Sequence, residues 1–328
     1  MSTNRLRLLS LVLMPFLMLA SLPARAQSAY PDKPVHLIVP YVPGGIFDIF
    51  GRALALRLAD VWKQPVVVDN RPGAAEIIGA QMVAHAAPDG YTLFLSSETA
   101  LQTNPILYAK LPYDPVKDFA PIIRIAEGTR VLVVAKNSPY HSLKDLEDAA
   151  RKAPGTVSYG TSGVGTPVHI LQNWFGLQTK TEYVHVPYKG TVATLPDLLG
   201  GRLQFTWAPL PLVQSFLKDG QLRPLVVTGK NRMSALPDTP TLTELGFRDM
   251  DMDLMLSLVA PAKTPPAVIA KVSGDVRAIL RDKGFEQSVT LANAFTTVAD
   301  TPAEFAASLV KETPLFQQRV KALNVHLD

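Results

Sequence analysis

The chain has 328 residues, of which 47% are hydrophobic, and it contains no cysteine. This composition is typical of a globular protein with one or two domains, and the missing cysteine excludes disulfide bonds, thiolate catalysis and cysteine-based metal sites. The formal net charge of +4 is mostly due to the first 26 residues, which carry three arginines and no acidic residue, so the chain offers no basic patch for nucleic acid.

The N-terminal residues have the pattern of a secretory signal peptide. Arg5 and Arg7 precede an apolar stretch over residues 8–22, and the small-residue motif Ala-Arg-Ala follows at residues 24–26. The stretch is short for a membrane span and is flanked as a cleavable signal is flanked. We therefore predict export with cleavage after Ala26. An uncleaved membrane anchor is the alternative.

Short β-rich apolar segments alternate with helical patterns along the rest of the chain. The order is a strand over 35–39, a helix over 48–61, a strand over 64–70, a helix over 77–87, strands over 88–97 and 131–137, a helix over 142–153, a strand that begins at 156, a helix from 167, a strand over 183–190, a helix over 193–199, strands over 203–208, 222–229 and 256–262, and a mainly helical tail over 265–323. This alternation predicts an α/β protein, and the length favours two α/β lobes. Ligands bind such folds where strands end and loops lead into helices.

The first loop of this kind contains two adjacent glycines. Pro43, Gly44 and Gly45 join the first strand to a helix with Asp48 in its first turn. A helix start presents unpaired amide groups and a partial positive charge, which attract anions, and glycine lets a carboxylate approach the backbone. The alternative interpretation is a plain tight turn in which Asp48 only stabilises the helix start.

A second loop joins the strand at Tyr159 to the helix that begins at Pro167. Its candidate ligand-binding residues, with Thr166 expected as the N-cap, are Thr161, Ser162, Gly165, Thr166 and His169. Hydroxyl and amide groups meet here at one helix start, which predicts a second anion-binding loop. A catalytic serine–histidine pair is not favoured, because no acidic residue is placed to orient the histidine.

A third loop contains Tyr188, Lys189 and Gly190. The tyrosine can stack on a ligand and the lysine can attract an anion, but a packed tyrosine beside a surface lysine explains the same residues. The six histidines of the chain show no spacing typical of metal ligands. We therefore predict neither a metal nor a cofactor.

These loops belong to a series of motifs that runs through the whole mature chain: PxxPGGxxDxxxR, QPVVVDNRPGA, APDGYTL, YGTSGVGTPVH, HVPYKG, DLLGGRL, LRPLVVT and RMSALPDTPTLTELGF. In this order they resemble the Bug receptors, the extracytoplasmic solute-binding proteins of the tripartite tricarboxylate transporter family. The resemblance implies a type II periplasmic-binding-protein fold: two lobes, each a mixed and mostly parallel sheet flanked by helices, joined by two crossing strands. It places residues 27–128 and 232–328 in lobe 1 and residues 129–231 in lobe 2.

The resemblance also implies which residues contact the ligand. It covers the three loops, adds Ser96 and Ser97 in the loop after the strand from Tyr91 to Leu95, and includes position 208. Two departures from the family pattern lie near these positions: Ala75-Glu76-Ile77 replaces two glycines and an asparagine, and Ala208-Pro209 stands where an Asp-Asn pair is usual. The missing acid at Ala208 disfavours a ligand with an ammonium group, so a weakly polar or aromatic carboxylate is preferred.

The predicted function is that of a periplasmic solute-binding protein and not an enzyme. It captures a small carboxylate for the membrane subunits of a tripartite tricarboxylate transporter, as a monomer and without a nucleic-acid partner. The lobes are expected to close on the ligand by a hinge near residues 127–130 and 228–230. A receptor that presents the carboxylate to a membrane sensor and an exported hydrolase are the alternatives.

Overall fold

The computed structural model describes residues 30–188, 190–247, 250 and 252–322. The predicted signal peptide, its cleavage after Ala26 and the candidate ligand-binding residue Lys189 lie outside the described residues. Within these ranges, no helix combines the length and the apolar character needed to cross a membrane.

Eleven strands in the described residues form two separate sheets. In chain order they are β1 (Val35–Val39), β2 (Val66–Asn70), β3 (Thr92–Ser96), β4 (Phe119–Gly128), β5 (Arg130–Ala135), β6 (Ser158–Thr161), β7 (Val184–Pro187), β8 (Phe205–Pro209), β9 (Leu222–Val227), β10 (Leu254–Pro261) and β11 (Phe295–Thr297). The first sheet has the order β11-β4-β10-β3-β1-β2, and the second has the order β7-β6-β8-β5-β9.

The helices of the described residues connect and cover these strands. They are α1 (Ile46–Trp62), α2 (Ile77–Ala84), α3 (Asn104–Leu107), α4 (Leu143–Lys152), α5 (Pro167–Thr179), α6 (Leu195–Leu199), α7 (Leu210–Lys218), α8 (Pro266–Leu280), α9 (Lys283–Phe285) and α10 (Pro302–Lys321). Local signals explain several of the boundaries. For example, Ser142 accepts a hydrogen bond from the Asp145 amide in a capping box, which fixes the start of α4.

Each sheet combines a parallel and an antiparallel part. β1 pairs in parallel with β2 and β3, whereas β10 pairs antiparallel with β3 and β4. In the second sheet, β6 pairs in parallel with β7 and β8, and β5 pairs antiparallel with β8 and β9. The two-sheet α/β fold class is confirmed, but the described sheets are not mostly parallel as expected. The reason is that the strands next to the connections between the two sheets run antiparallel to their neighbours. These strands are β4, β5, β9 and β10.

Two connections join the sheets, and one of them is a single residue long. β4 ends at Gly128 and β5 begins at Arg130, so only Thr129 separates a strand of one sheet from a strand of the other. The backbone is tight at this crossing, because a Cβ added at Gly128 would lie 2.7 Å from the ring of Phe295. The return connection leads from β9 to β10. These are the positions where the hinge was expected.

A buried ion pair links the sheets at the crossing. Arg130, at the start of β5, lies 2.7 Å from the carboxylate of Glu98, which follows β3. Both side chains are almost wholly buried. The other Glu98 oxygen accepts a hydrogen bond of 2.9 Å from the Met255 amide of β10, and Arg130 also donates to the Met252 carbonyl. The pair therefore ties both crossing segments to the end of β3.

The second sheet is covered on both faces by separate apolar clusters. One of them includes Phe175 of α5 and Trp207 of β8 together with Leu242 and Phe316, which come from the C-terminal part of the chain. The other includes Val133, Ala208 and Val213. The division into lobes at residues 128 and 232 stays a prediction, and Leu242 and Phe316 are residues beyond position 232 that pack against the second sheet.

Candidate functional site

The loop between β1 and α1 turns sharply at Gly44 and opens the first turn of the helix. Gly44 has a φ of +81°, a conformation that glycine adopts without strain. Gly45 is the N-cap of α1, with an extended backbone and no side-chain cap. Pro43 and Gly44 are exposed. The amides of the first helical turn have no acceptor within the helix, so this turn is available to an anion.

Asp48 shapes this loop. Its buried carboxylate accepts hydrogen bonds from the Gly44 amide at 2.8 Å, from Arg52 at 3.0 Å and from the Asn70 side chain at 2.9 Å. Burial alone would raise the pKa of Asp48, but the bonds from Arg52, Gly44 and Asn70 outweigh burial and lower the pKa below its ordinary value. The Gly44 amide is therefore occupied, and Gly45 donates to the Val42 carbonyl at 3.3 Å. The glycines position the turn, and the amides open to an anion belong to the residues that follow.

The two serines at the end of β3 have different roles. Ser96 is buried and its hydroxyl lies 2.9 Å from the hydroxyl of Ser257 on β10, so it joins neighbouring strands. The Ser97 hydroxyl donates to the carboxyl of Glu76 and accepts a hydrogen bond of 3.0 Å from the Thr99 amide. Only Ser97 therefore belongs to the cluster around the β1–α1 loop.

Glu76 and Tyr41 complete this cluster and were not among the candidate residues. Glu76 is buried and accepts hydrogen bonds from the hydroxyls of Tyr41 and Ser97. Burial raises the pKa of Glu76 to about 7, against the effect of these hydrogen bonds, and nearby Glu98 raises it further. The sequence signal was the replacement of a usual glycine by Glu76, since its φ of +72° is a conformation that favours glycine.

The β6–α5 loop is held together by its own polar groups. The Thr161 hydroxyl accepts a hydrogen bond of 3.1 Å from the Gly163 amide, and Thr166 donates to the Gly163 carbonyl at 2.8 Å. Thr166 is the N-cap and Pro167 the first helical residue, as predicted, but the Thr166 side chain does not cap the helix. Ser162 is half-buried, and its hydroxyl has no hydrogen-bond partner in the described part of the chain.

Two stacked imidazole rings form hydrogen bonds with this loop. The rings of His169 and His185 lie 3.9 Å apart with 13° between their planes. His169 Nδ1 accepts a hydrogen bond of 3.1 Å from the Gly165 amide, and His185 Nε2 lies 2.6 Å from the Thr161 hydroxyl. Burial, with a smaller effect of His185, lowers the pKa of His169 to about 4. Both rings are therefore neutral near pH 7 and act as supports.

The remaining candidate residues contribute less to this cluster. The Tyr188 hydroxyl donates to Asp197 at 2.5 Å, which directs the side chain toward its own lobe. Gly190 has a φ of +109°, so it turns the chain. Ala208 has no exposed surface and packs in the apolar cluster beside Val131. In this conformation Ala208 offers no surface to a ligand.

The predicted residues thus form two clusters at strand ends. The first contains the β1–α1 loop with Tyr41, Glu76 and Ser97, and the second contains the β6–α5 loop with its two histidines. Within the described residues, no hydrogen bond joins the two clusters, and no three acidic or histidine side chains are grouped to hold a metal ion.

A cavity of about 640 Å³ lies beside the crossing connections. Glu98, Arg124, Thr129 and Lys230 are among its lining residues, and so is Phe316 of α10. None of the candidate ligand-binding residues that the structure describes lines it. The open amides and hydroxyl groups suited to a carboxylate belong to the strand-end clusters.

Comparison with known proteins gives consistent results. Residues 50–319 match the family model described as "Tripartite tricarboxylate transporter family receptor". The chain is 33% identical over 284 residues to Protein BugT of Bordetella pertussis, which covers 86% of this chain and 87% of that protein.

Solved structures extend the similarity to the fold. A structure described as R. palustris Rpa4515 with adipate is 31% identical, with a TM-score of 0.82 over 90% of this chain and 99% of that one. The periplasmic binding protein BugD is 27% identical, with a TM-score of 0.78 over 90% of this chain and 99% of that one.

Proposed function

Because this chain belongs to the tripartite tricarboxylate transporter receptor family, we propose that it captures a small carboxylate between its two lobes for a transporter of that type. Membership confirms the resemblance seen in the sequence and the prediction of a receptor instead of an enzyme. The family consists of periplasmic solute-binding proteins. The capture of a carboxylate and the partnership with the membrane subunits are the parts that we propose.

The observation that carries the proposal is the open first turn of α1. The exposed glycine turn leaves the amides of Ile46 and Phe47 without intrahelical acceptors, and Asp48 fixes the turn through Gly44 and Asn70. A helix start of this kind stabilises an anion by about 0.3–1 kcal/mol, and by up to ~2 kcal/mol when it is partly buried. The relative bound to adipate supports a carboxylate as the anion.

We assign the opposite side of the site to the second lobe. The Ser162 hydroxyl and the start of α5 at Thr166 are the groups suited to a ligand there, while His169 and His185 hold the loop in shape. Closure of the lobes about the crossing connections brings the two clusters to one ligand. Lobe 1 is proposed to comprise residues 27–128 and 232–328, and lobe 2 residues 129–231.

The cellular setting follows from the family and the N-terminal sequence. We propose that the signal peptide is removed after Ala26 and that the mature chain acts in the periplasm as a monomer. Its partners there are the integral membrane subunits of the transporter.

Calorimetry against a panel of carboxylates tests the proposal. The panel contains succinate, glutarate, adipate, hexanoate and benzoate, and the methyl ester of each acid serves as the uncharged control. We expect at least one acid to bind with a micromolar Kd, which corresponds to about 8 kcal/mol, while its fully esterified form does not bind. Failure of every acid, or equal binding of an ester, would contradict carboxylate capture.

A further inference from the structure

The turn before α2 places an acidic side chain where the backbone strongly favours glycine. Ala74, Ala75 and Glu76 all have positive φ values, of 46°, 49° and 72°. The turn is fastened by Asn104, whose side-chain amide donates to the Ala75 carbonyl at 2.7 Å. Non-glycine residues held in this conformation occur most often at functional sites, where the surrounding structure imposes them.

In the described part of the chain, the carboxyl group of Glu76 contacts no positive side chain. Its Oε1 accepts from the hydroxyls of Tyr41 and Ser97, and its Oε2 accepts a long hydrogen bond of 3.4 Å from the Ser97 amide. The charge of Glu98 raises the pKa of Glu76 further, and Glu98 is itself paired with Arg130. The phenols of Tyr41 and Tyr113 are titratable groups that also interact with Glu76.

The side chain of Tyr41 connects Glu76 to the start of α1. The Tyr41 ring, whose hydroxyl donates to Glu76, packs against the ring of Phe47 in the first turn of that helix, with 4.4 Å between the ring centroids and 30° between the planes. A carboxylate held by the first-turn amides would therefore sit close to the carboxyl of Glu76. A second negative charge near the buried carboxyl of Glu76 favours the protonated form of that carboxyl.

We propose that Glu76 makes ligand capture proton-linked, so that a carboxylate enters the site together with one proton. The inference rests on the proposed function. The proton comes from solvent and binds a carboxyl oxygen of Glu76, and no bond of the ligand changes. Glu76 is buried and its pKa is already about 7 without ligand, so a bound anion has only to raise the pKa further.

Calorimetry in two buffers of different ionisation enthalpy counts the protons taken up. The titrants are the five acids of the panel, and each is titrated at pH 7 and at pH 8. All five acids are ionised at both pH values. For any acid that binds, we expect uptake that approaches one proton at pH 8 and an affinity several-fold weaker at pH 8 than at pH 7. Glu76→Gln keeps the size of the side chain, and it should abolish the uptake and the pH dependence. Exposed Glu182→Gln is the control and should change neither.

Each outcome decides a different point. Binding without proton uptake would overturn the inference and leave the proposed function intact. Proton uptake that persists in Glu76→Gln would assign the proton to another group, and it would also overturn the inference. If no acid binds, the proposed function and the inference both fall.

A second variant protects the test against misfolding of Glu76→Gln. Ser97→Ala removes a hydrogen bond to the ionised carboxyl, so it should raise the pKa of Glu76 and move the onset of the pH dependence to higher pH. An unchanged onset in a folded Ser97→Ala protein would also refute the inference.

Discussion

A side chain added at Gly45 should strongly weaken ligand binding while the fold survives. Gly45 has φ −75° and ψ 167°, a backbone conformation open to every residue. Its added Cβ would lie 3.3 Å from the Val42 carbonyl oxygen, a contact that a small shift relieves. Replacing glycine at a compatible position also restricts the unfolded chain, by about 0.4–1 kcal/mol. We therefore expect the free energy of unfolding of Gly45→Val to stay within about 1 kcal/mol of the wild-type value.

The loss of affinity can be estimated from the groups that the side chain would cover. The start of α1 contributes up to ~2 kcal/mol toward an anion, and 1.4 kcal/mol is a tenfold change, so loss of this contribution should lower affinity by up to about 30-fold. Calorimetry with an acid that binds the wild type measures this loss, and urea denaturation measures stability. Arg52→Ala and Arg71→Ala should each weaken binding much less, because Arg52 already pairs with Asp48 and Arg71 with Asp69.

The neighbouring glycine is a matched control. At Gly44 a Cβ would have no atom within 4 Å, but the φ of +81° makes any side chain strained. Gly44→Ala should therefore lose about 1–2 kcal/mol of stability. The reasoning is refuted if one arginine substitution removes nearly all affinity while Gly45→Val retains it, because the ligand would then be held by a guanidinium group.

Three further predictions follow from other parts of the structure. Small-angle scattering should show a smaller radius of gyration when a carboxylate saturates the site, and an unchanged radius at saturation would argue against a hinge. The pKa of His169 is about 4 in the folded protein and about 6.5 in the unfolded chain. The contribution of His169 to the free energy of unfolding should therefore be complete above pH 6.5 and fall by about 2 kcal/mol between pH 6.5 and 4, after solvent screening. His169→Gln should flatten this part of a profile of melting temperature against pH. Gly128→Ala should cost about 1–3 kcal/mol by overpacking against Phe295, and Phe295→Leu in the same chain should recover part of it, as urea denaturation would show.

The local parts of the fold were predictable because their signals are local. The helix expected over residues 48–61 is α1 (Ile46–Trp62), and the helix expected over 142–153 is α4 (Leu143–Lys152). Glycine before one helix and a capping box at the other mark the starts. Apolar β-rich segments bounded by turn residues likewise placed most strands within a few residues.

One crossing strand and the directions of the strands were harder to predict. β4 (Phe119–Gly128) was not identified, although it pairs with both β10 and β11. Its direction depends on partners more than 100 residues away, and no local pattern specifies whether such a pair is parallel or antiparallel. The expectation of mostly parallel sheets was wrong for the same reason.

The candidate site was predictable at the level of loops but not of individual side chains. Ser96 and Ser97 are adjacent, but their side chains point in opposite directions at the end of β3. Ser96 therefore bonds Ser257, and Ser97 bonds Glu76. Asp48 looked like a ligand contact, and its carboxylate instead bonds Gly44 and the Asn70 side chain. Such choices depend on groups that meet only after the sheet has formed.

The pairing of β4 with β10 has a consequence for how the chain folds. The register joins Phe119 to Pro261 and Gly128 to Leu254, and β11 then pairs with β4 through Phe295. The first sheet therefore cannot be completed until nearly all of the chain is available, and closing such distant contacts slows folding. A polypeptide threaded through a membrane pore from its N-terminus stays extended during most of its passage, which is the state that an export channel requires.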